Sequence, residues 1–300
     1  MSHDHGGGAR AGARHQRALA LTFALVTGFL VVEAVAGFLT NSLALLSDAG
    51  HMLTDAVGLG MALAAIRAAS HAVADGRRTY GLYRLEILAA LVNSLLMFGV
   101  AAYVLIEGIG RFQHPPAVLS GPMLAVAVVG LMVNVTGWWL LRAGAGESLN
   151  LEGAMLEVLG DLLGSIGVIV AAIVLITTGW PYADPLIAVG IGLFILPRAA
   201  RLGWRALHVL VQLAPAGVDL AGVRSDLLGL DGVVDVHDVH VWTLTSEMDV
   251  ASAHVVFRDQ ADSHSILDQA QEVLRERHRL THATLQMEPE SHRSCVEVGW

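Results

Sequence analysis

Long apolar runs separated by short polar stretches dominate the first two-thirds of the chain. A helix needs roughly 20 apolar residues to cross the hydrocarbon core of a bilayer. Six runs reach that length: Ala18–Phe38, Ser42–Ala69, Leu85–Gly110, Gly121–Leu141, Leu151–Thr177, and one that starts near Asp184 and is expected to continue past Pro197 as a polar-faced extension. The pattern changes near Pro215. Asp219–Leu228 reads as a helix, while Val234–Leu244 and Asp249–Phe257 alternate as strands do. Ser263–Arg279 carries Ile266, Leu267, Ala270, Val273 and Leu274 at helical spacing, and Ala283–Glu288 alternates again. The order α-β-β-α-β predicts a compact two-layer α+β domain with its helices on one sheet face. The expected organisation is a flexible polar tail over 1–17, a membrane all-α bundle of six transmembrane helices over 18–213, and a small C-terminal domain over 214–300.

Composition supports this division. Hydrophobic residues make up 54% of the 300 positions and charged residues only 15%, where a soluble domain carries about a quarter. Lipid solvates apolar side chains that a soluble fold of this length would have to bury. The net charge of -9 argues against a nucleic-acid partner, because phosphate binding needs clustered positive charge. One cysteine, Cys295, excludes an intrachain disulfide and a cysteine-only zinc finger. The first apolar run is too long for a signal-peptide core and is read as a membrane span. All 18 basic residues are arginine. Eleven of them gather in the N-terminal tail (Arg10, Arg14, Arg17), between the second and third spans (Arg67, Arg77, Arg78, Arg84), at Arg142, and after the sixth span (Arg198, Arg201, Arg205), while the opposite loops have only Arg111 nearby. By the positive-inside rule both termini are expected in the cytoplasm.

The chemistry lies in the second and fifth spans. Ionisable groups inside a bilayer are costly and are functional candidates by default. His51 and Asp55 are four residues apart, and so are Glu157 and Asp161. Side chains at i and i+4 share one helical face, so two helices can converge on one ion. One histidine and three carboxylates supply the four ligands of a tetrahedral zinc site, although spacing does not fix the ion. A single intramembrane carboxylate can be a satisfied structural group; two such pairs are much harder to explain that way. Asp48, one turn before His51, is a candidate for lining the access path. Glu33, Asn93 and Asn134 can be interhelical hydrogen-bond partners as readily as ligands. Glu86 and Asp184 fall near span ends, where capping or interfacial hydration is expected.

At these residues the sequence resembles the cation diffusion facilitator family of metal exporters, of the bacterial zinc/cadmium/cobalt type. Ser42-Leu43-Ala44-Leu45-Leu46-Ser47-Asp48-Ala49-Gly50-His51-Met52-Leu53-Thr54-Asp55 is similar to its second-helix signature. Tyr80–Glu86 and Val158–Ser165 resemble its third and fifth helices. His237-Asp238-Val239-His240-Val241-Trp242 and His282–Glu288 resemble its cytoplasmic domain. The resemblance implies six helices in the bacterial inner membrane with both termini on the cytoplasmic side, a ferredoxin-like cytoplasmic domain, a homodimer, and proton-coupled export of Zn2+, with Cd2+ and Co2+ as further substrates. It carries the transport site onto His51, Asp55, Glu157 and Asp161, with His51 as the proton carrier. Zinc-exporting members usually have histidine at the position of Glu157. Its extra hard oxygen could admit manganese, iron, cobalt or nickel, or sharpen proton competition with zinc retained.

For the cytoplasmic domain the resemblance implies further metal binding, structural or regulatory, with His237, His240, His254, His264 and Glu288 as candidates. Ordinary surface histidines are the alternative. His3, His5, His292 and Cys295 are expected to be solvated tail residues. The sequence lacks a His-Glu-x-x-His helix, a Gly-rich phosphate loop and a GxSxG elbow, so a transporter is expected rather than an enzyme. A membrane-anchored metal sensor is a further alternative, but an anchor has no need of paired ligands buried in two spans.

Overall fold

The computed structural model describes residues 7–70, 83–142, 149–245 and 248–291. Six long helices come first: α1 (Gly7–Thr40), α2 (Leu43–Ser70), α3 (Tyr83–Gln113), α4 (Ser120–Leu141), α5 (Leu149–Thr178) and α6 (Ala183–Leu210). They are followed by α7 (Leu220–Leu228), β1 (Val233–Thr245), β2 (Met248–Phe257), α8 (Ser263–His278) and β3 (His282–Pro289). All the predicted elements are present. The first helix, α1, begins inside the stretch expected to be a polar tail, where alanine and arginine favour helix, and α6 continues through Pro197 to Leu210, as expected.

Among the described residues, α1, α3, α4, α5 and α6 contain stretches long and apolar enough to cross a membrane. The remaining long helix, α2, buries the polar groups Ser47, Asp48, His51, Thr54 and Asp55. The outer surfaces are apolar: Phe38, Leu39, Ile106, Met132 and Leu163 are each exposed. Such a surface is stable in lipid and not in water. This is a multi-pass membrane protein.

The chain forms two compact units, divided after Trp204, with Tyr83–Ile87 grouped with the second. In the first unit α1, α2, α4 and α5 pack together around Val26, Phe29, Met52, Leu59 and Val158. Alongside them, Met97 of α3 packs with Ile195 and Ala199 of α6. One end of this unit is fastened by Asp184. Its carboxylate caps α2 by accepting from Leu43 N (2.8 Å), Ala44 N (3.2 Å) and Ser42 Oγ (2.5 Å). Arg111 of α3 adds a 3.7 Å ion pair to Asp184 and donates to the Asn41 carbonyl at 2.6 Å. Asp184 is therefore a cap, as its position suggested, but for a helix about 140 residues away.

The second unit is a three-stranded sheet of order β1-β2-β3, with β1–β2 antiparallel and β2–β3 parallel. Val223 and Leu227 of α7 and Ile266, Ala270 and Leu274 of α8 bury against Val236, Val255 and Phe257 of the sheet. Both helices start at aspartate caps: Asp219 accepts from Ala221 N, and Asp262 from His264 N. This is the small α+β domain expected.

Candidate metal sites

The register of α2 against α5 builds the first site. Asp48 meets Gly164 and Ser165, and one turn on His51 meets Gly160 and Asp161. A Cβ at residue 164 would overlap the Asp48 carboxylate, so glycine lets the two backbones approach. His51 Nε2 lies 3.5 Å from Asp161 Oδ1, and His51 Nδ1 lies 3.7 Å from Asp55 Oδ2. One ligand atom from each of His51, Asp55 and Asp161 falls within 4.8 Å of the others. These spacings are too long for hydrogen bonds but suit donors grouped around an ion.

Burial makes the arrangement pointed. His51, Asp55 and Asp161 are 1%, 3% and 0% exposed. Both ring nitrogens of His51, Oδ2 of Asp55 and both oxygens of Asp161 lack a hydrogen-bond partner. Buried polar atoms are nearly always paired, and each orphan costs free energy. A divalent cation would satisfy all three residues together. The surrounding helices brace the site instead of filling it. Asn93 of α3 donates to the Thr54 carbonyl at 3.1 Å, and Ser47 donates to the Ala188 carbonyl of α6 at 3.3 Å.

A polar network lies one turn away. Asn134 of α4 donates to Ser165 Oγ at 3.2 Å, and Ser165 donates to Asp48 Oδ2 at 3.4 Å. Glu33 of α1, 1% exposed, is within reach of the same Asp48 carboxylate. Asn93 and Asn134 are thus interhelical hydrogen-bond donors. Glu157 belongs to α5 one turn before Asp161, but its side chain lies outside the described residues.

Arg198 departs from the sequence reading. It was counted with the arginines that follow the sixth span; it is instead inside α6, and its Nη2 donates to Asp55 Oδ1 at 2.9 Å. The helix continues past Pro197 and brings the guanidinium to a buried carboxylate that can pay for its partial desolvation. No local pattern in α6 marks this contact, since the partners are 143 residues apart.

The second site is on the sheet. His237 and His254 are Cα partners on β1 and β2, with ring centroids 5.2 Å apart. Glu288 of β3 lies 3.8 Å from His237 Nε2 and 3.0 Å from His254 Nδ1. Ligand atoms of these three residues also fall within 4.8 Å of one another. The other two candidates are not in this group. A register shift between His237 and His240, with Asp238 at φ 52°, turns His240 away to pair with Asp238 at 3.0 Å. His264 opens α8, and its side chain is 84% exposed, 4.0 Å from Asp268. Asp238 was missed by the sequence reading, yet its Oδ2 comes within 3.9 Å of His254 Nε2. Gln286 Nε2 donates to Glu288 Oε1 at 2.7 Å and so orients that carboxylate. Cys295 and His292 lie outside the described residues, as do His3 and His5.

The family model for the cation efflux transmembrane domain matches residues 19–211, and that for the cation efflux protein cytoplasmic domain matches residues 215–290. The chain belongs to the cation efflux family. Among its relatives is the metal cation efflux system protein CzcD of Cupriavidus metallidurans, 46% identical over 96% of this chain and 89% of that protein. The zinc transporter ZitB of Escherichia coli is 40% identical over 96% of this chain and 92% of its own length. A cadmium, cobalt and zinc/H(+)-K(+) antiporter of Bacillus subtilis is 38% identical over 97% and 93%. The cation efflux fold and its membrane helices make this chain a transporter rather than an enzyme.

Proposed function

We propose that this protein exports divalent transition-metal ions from the cytoplasm in exchange for protons, with zinc as the principal substrate and cadmium and cobalt as others. The observation that carries this reading is the buried trio His51, Asp55 and Asp161, whose ligand atoms face one another without hydrogen-bond partners between two membrane helices. The substrates named for the relatives are zinc, cadmium and cobalt, and one of those relatives is named a proton antiporter. Glu157, one turn before Asp161 on α5, is the fourth ligand in this scheme. The arginine bias places both termini in the cytoplasm, and bacterial relatives support an inner-membrane location.

Each residue has a distinct task. Metal binding requires neutral imidazole and ionised carboxylates, so loading from the cytoplasm displaces protons. The helix bundle then rocks to expose the site outward. A proton arriving from outside on His51 removes a ligand lone pair and ejects the ion. Asp48 and its Ser165–Asn134 network line the path to the site. Residues 18–213 form the transport domain, and 214–300 form a cytoplasmic domain that joins two copies of the chain. His237, His254 and Glu288 there bind a second, structural or regulatory zinc ion.

The test is flux into proteoliposomes loaded with metal and pH dyes. Zinc uptake with opposing proton movement, abolished in Asp161→Ala, is the expected result. Near-normal flux in that variant would remove the site assignment. Uptake of manganese, iron or nickel with zinc silent would keep the site and assign the altered selectivity to Glu157.

A further inference from the structure

The two oxygens of Asp55 are divided between two tasks. Oδ2 turns toward His51 at 3.7 Å and accepts no hydrogen bond, while Oδ1 is held by Arg198 Nη2 at 2.9 Å. Arg198 comes from α6, a helix that supplies none of the trio. Its guanidinium cannot lose its proton in a protein. A permanent positive charge therefore stands one carboxylate away from the place where a doubly charged ion is bound.

That charge has two opposing effects. By gripping Oδ1 it fixes the Asp55 rotamer, which favours metal binding. By Coulomb repulsion it disfavours a second cation nearby. Fixing one short side chain is worth only about a few-fold in affinity. Repulsion between a unit charge and a divalent ion across one carboxylate, at an effective dielectric constant near 20, is worth at least about tenfold. Repulsion wins. A carrier gains from this, because a site that holds its ion too tightly releases it slowly.

We propose that Arg198 is a fixed counter-charge that lowers the metal affinity of the His51–Asp55–Asp161 site and thereby sets the rate of release. The proposal rests on the reading of that trio as the transport site. Substituting Arg198 also separates it from a simple clamp between α6 and α2, since a lost clamp loosens the site and a lost counter-charge tightens it.

The experiment uses the full-length protein. Zinc binding is measured by equilibrium dialysis, counting only the fraction that Asp161→Ala removes, and flux is measured in proteoliposomes. Arg198→Gln, and Arg198→Met, which keeps an apolar stem, are expected to bind zinc at least about tenfold more tightly, with KM and kcat both lowered. Arg198→Lys retains the charge and is expected to stay within about threefold of the wild type. Weaker or unchanged zinc binding in folded Arg198→Gln and Arg198→Met would overturn the proposal and leave Arg198 a structural clamp. If Asp161→Ala itself binds and transports zinc normally, the transport-site reading fails first, and the role of Arg198 falls with it.

Discussion

Asp161→Asn separates a binding carboxylate from a structural one. Asparagine keeps the volume of the side chain and an oxygen but removes the charge. Asp161 is fully buried, and neither of its oxygens has a hydrogen-bond partner in the protein. The substitution therefore breaks no hydrogen bond, and it relieves repulsion with Asp55. Without metal, the variant is expected to be as stable as the wild type or up to ~2 kcal/mol more stable, a rise of up to ~4–8 °C for a unit of this size. Metal binding goes the other way. Removing one charged partner from a buried ionic cluster costs about 3–5 kcal/mol, at least about 100-fold in Kd. Zinc at a hundred times the wild-type Kd stabilises the wild type by about 2.7 kcal/mol, while a variant with Kd raised 100-fold gains only about 0.4 kcal/mol. Thermal unfolding of purified protein, followed by tryptophan fluorescence in chelator and in zinc, measures both effects. A His237→Ala background removes the second cluster from the signal. A full zinc-dependent shift in the variant would refute the ligand role. A melting point well below that of the wild type in chelator would show that Asp161 is a structural group.

Asp184→Ala leaves the N–H groups of Leu43 and Ala44 without their acceptor and removes the ion pair to Arg111, so a loss of about 3–5 kcal/mol is expected in thermal unfolding, with Asp184→Asn retaining part of it. Gly130→Ala places a Cβ 2.7 Å from Phe29 Cε1; repacking α1 against α4 is expected to cost about 1–3 kcal/mol, and unchanged unfolding would contradict the packing described. In the cytoplasmic domain, His237→Ala or Glu288→Ala is expected to lower bound zinc by one ion per chain, measured by mass spectrometry of metal content. His240→Ala and His264→Ala are expected to leave that count unchanged, because neither belongs to the His237–His254–Glu288 group.

Local rules are strong enough to expose much of this protein in its sequence. A bilayer accepts few structures, so apolar runs of the right length mark out helices with little ambiguity. The i, i+4 spacing of His51 with Asp55 and of Glu157 with Asp161 is a property of a single helix, and it names the residues without knowledge of their neighbours. The strands of the C-terminal domain announced themselves in the same way, through alternation over β1, β2 and β3. What tertiary structure alone decided are contacts between residues far apart in the chain. The α2–α5 register brought His51 to Asp161, the extension of α6 brought Arg198 to Asp55, and Asp184 became the cap of a helix remote in sequence. On the sheet, a register shift in β1 kept His237 beside His254 and turned His240 away. A histidine on an alternating strand reads the same wherever a bulge falls, because the bulge depends on pairing with the neighbouring strand. Residue type and spacing therefore supplied the candidate ligands, and packing decided which of them meet and which charge stands beside them.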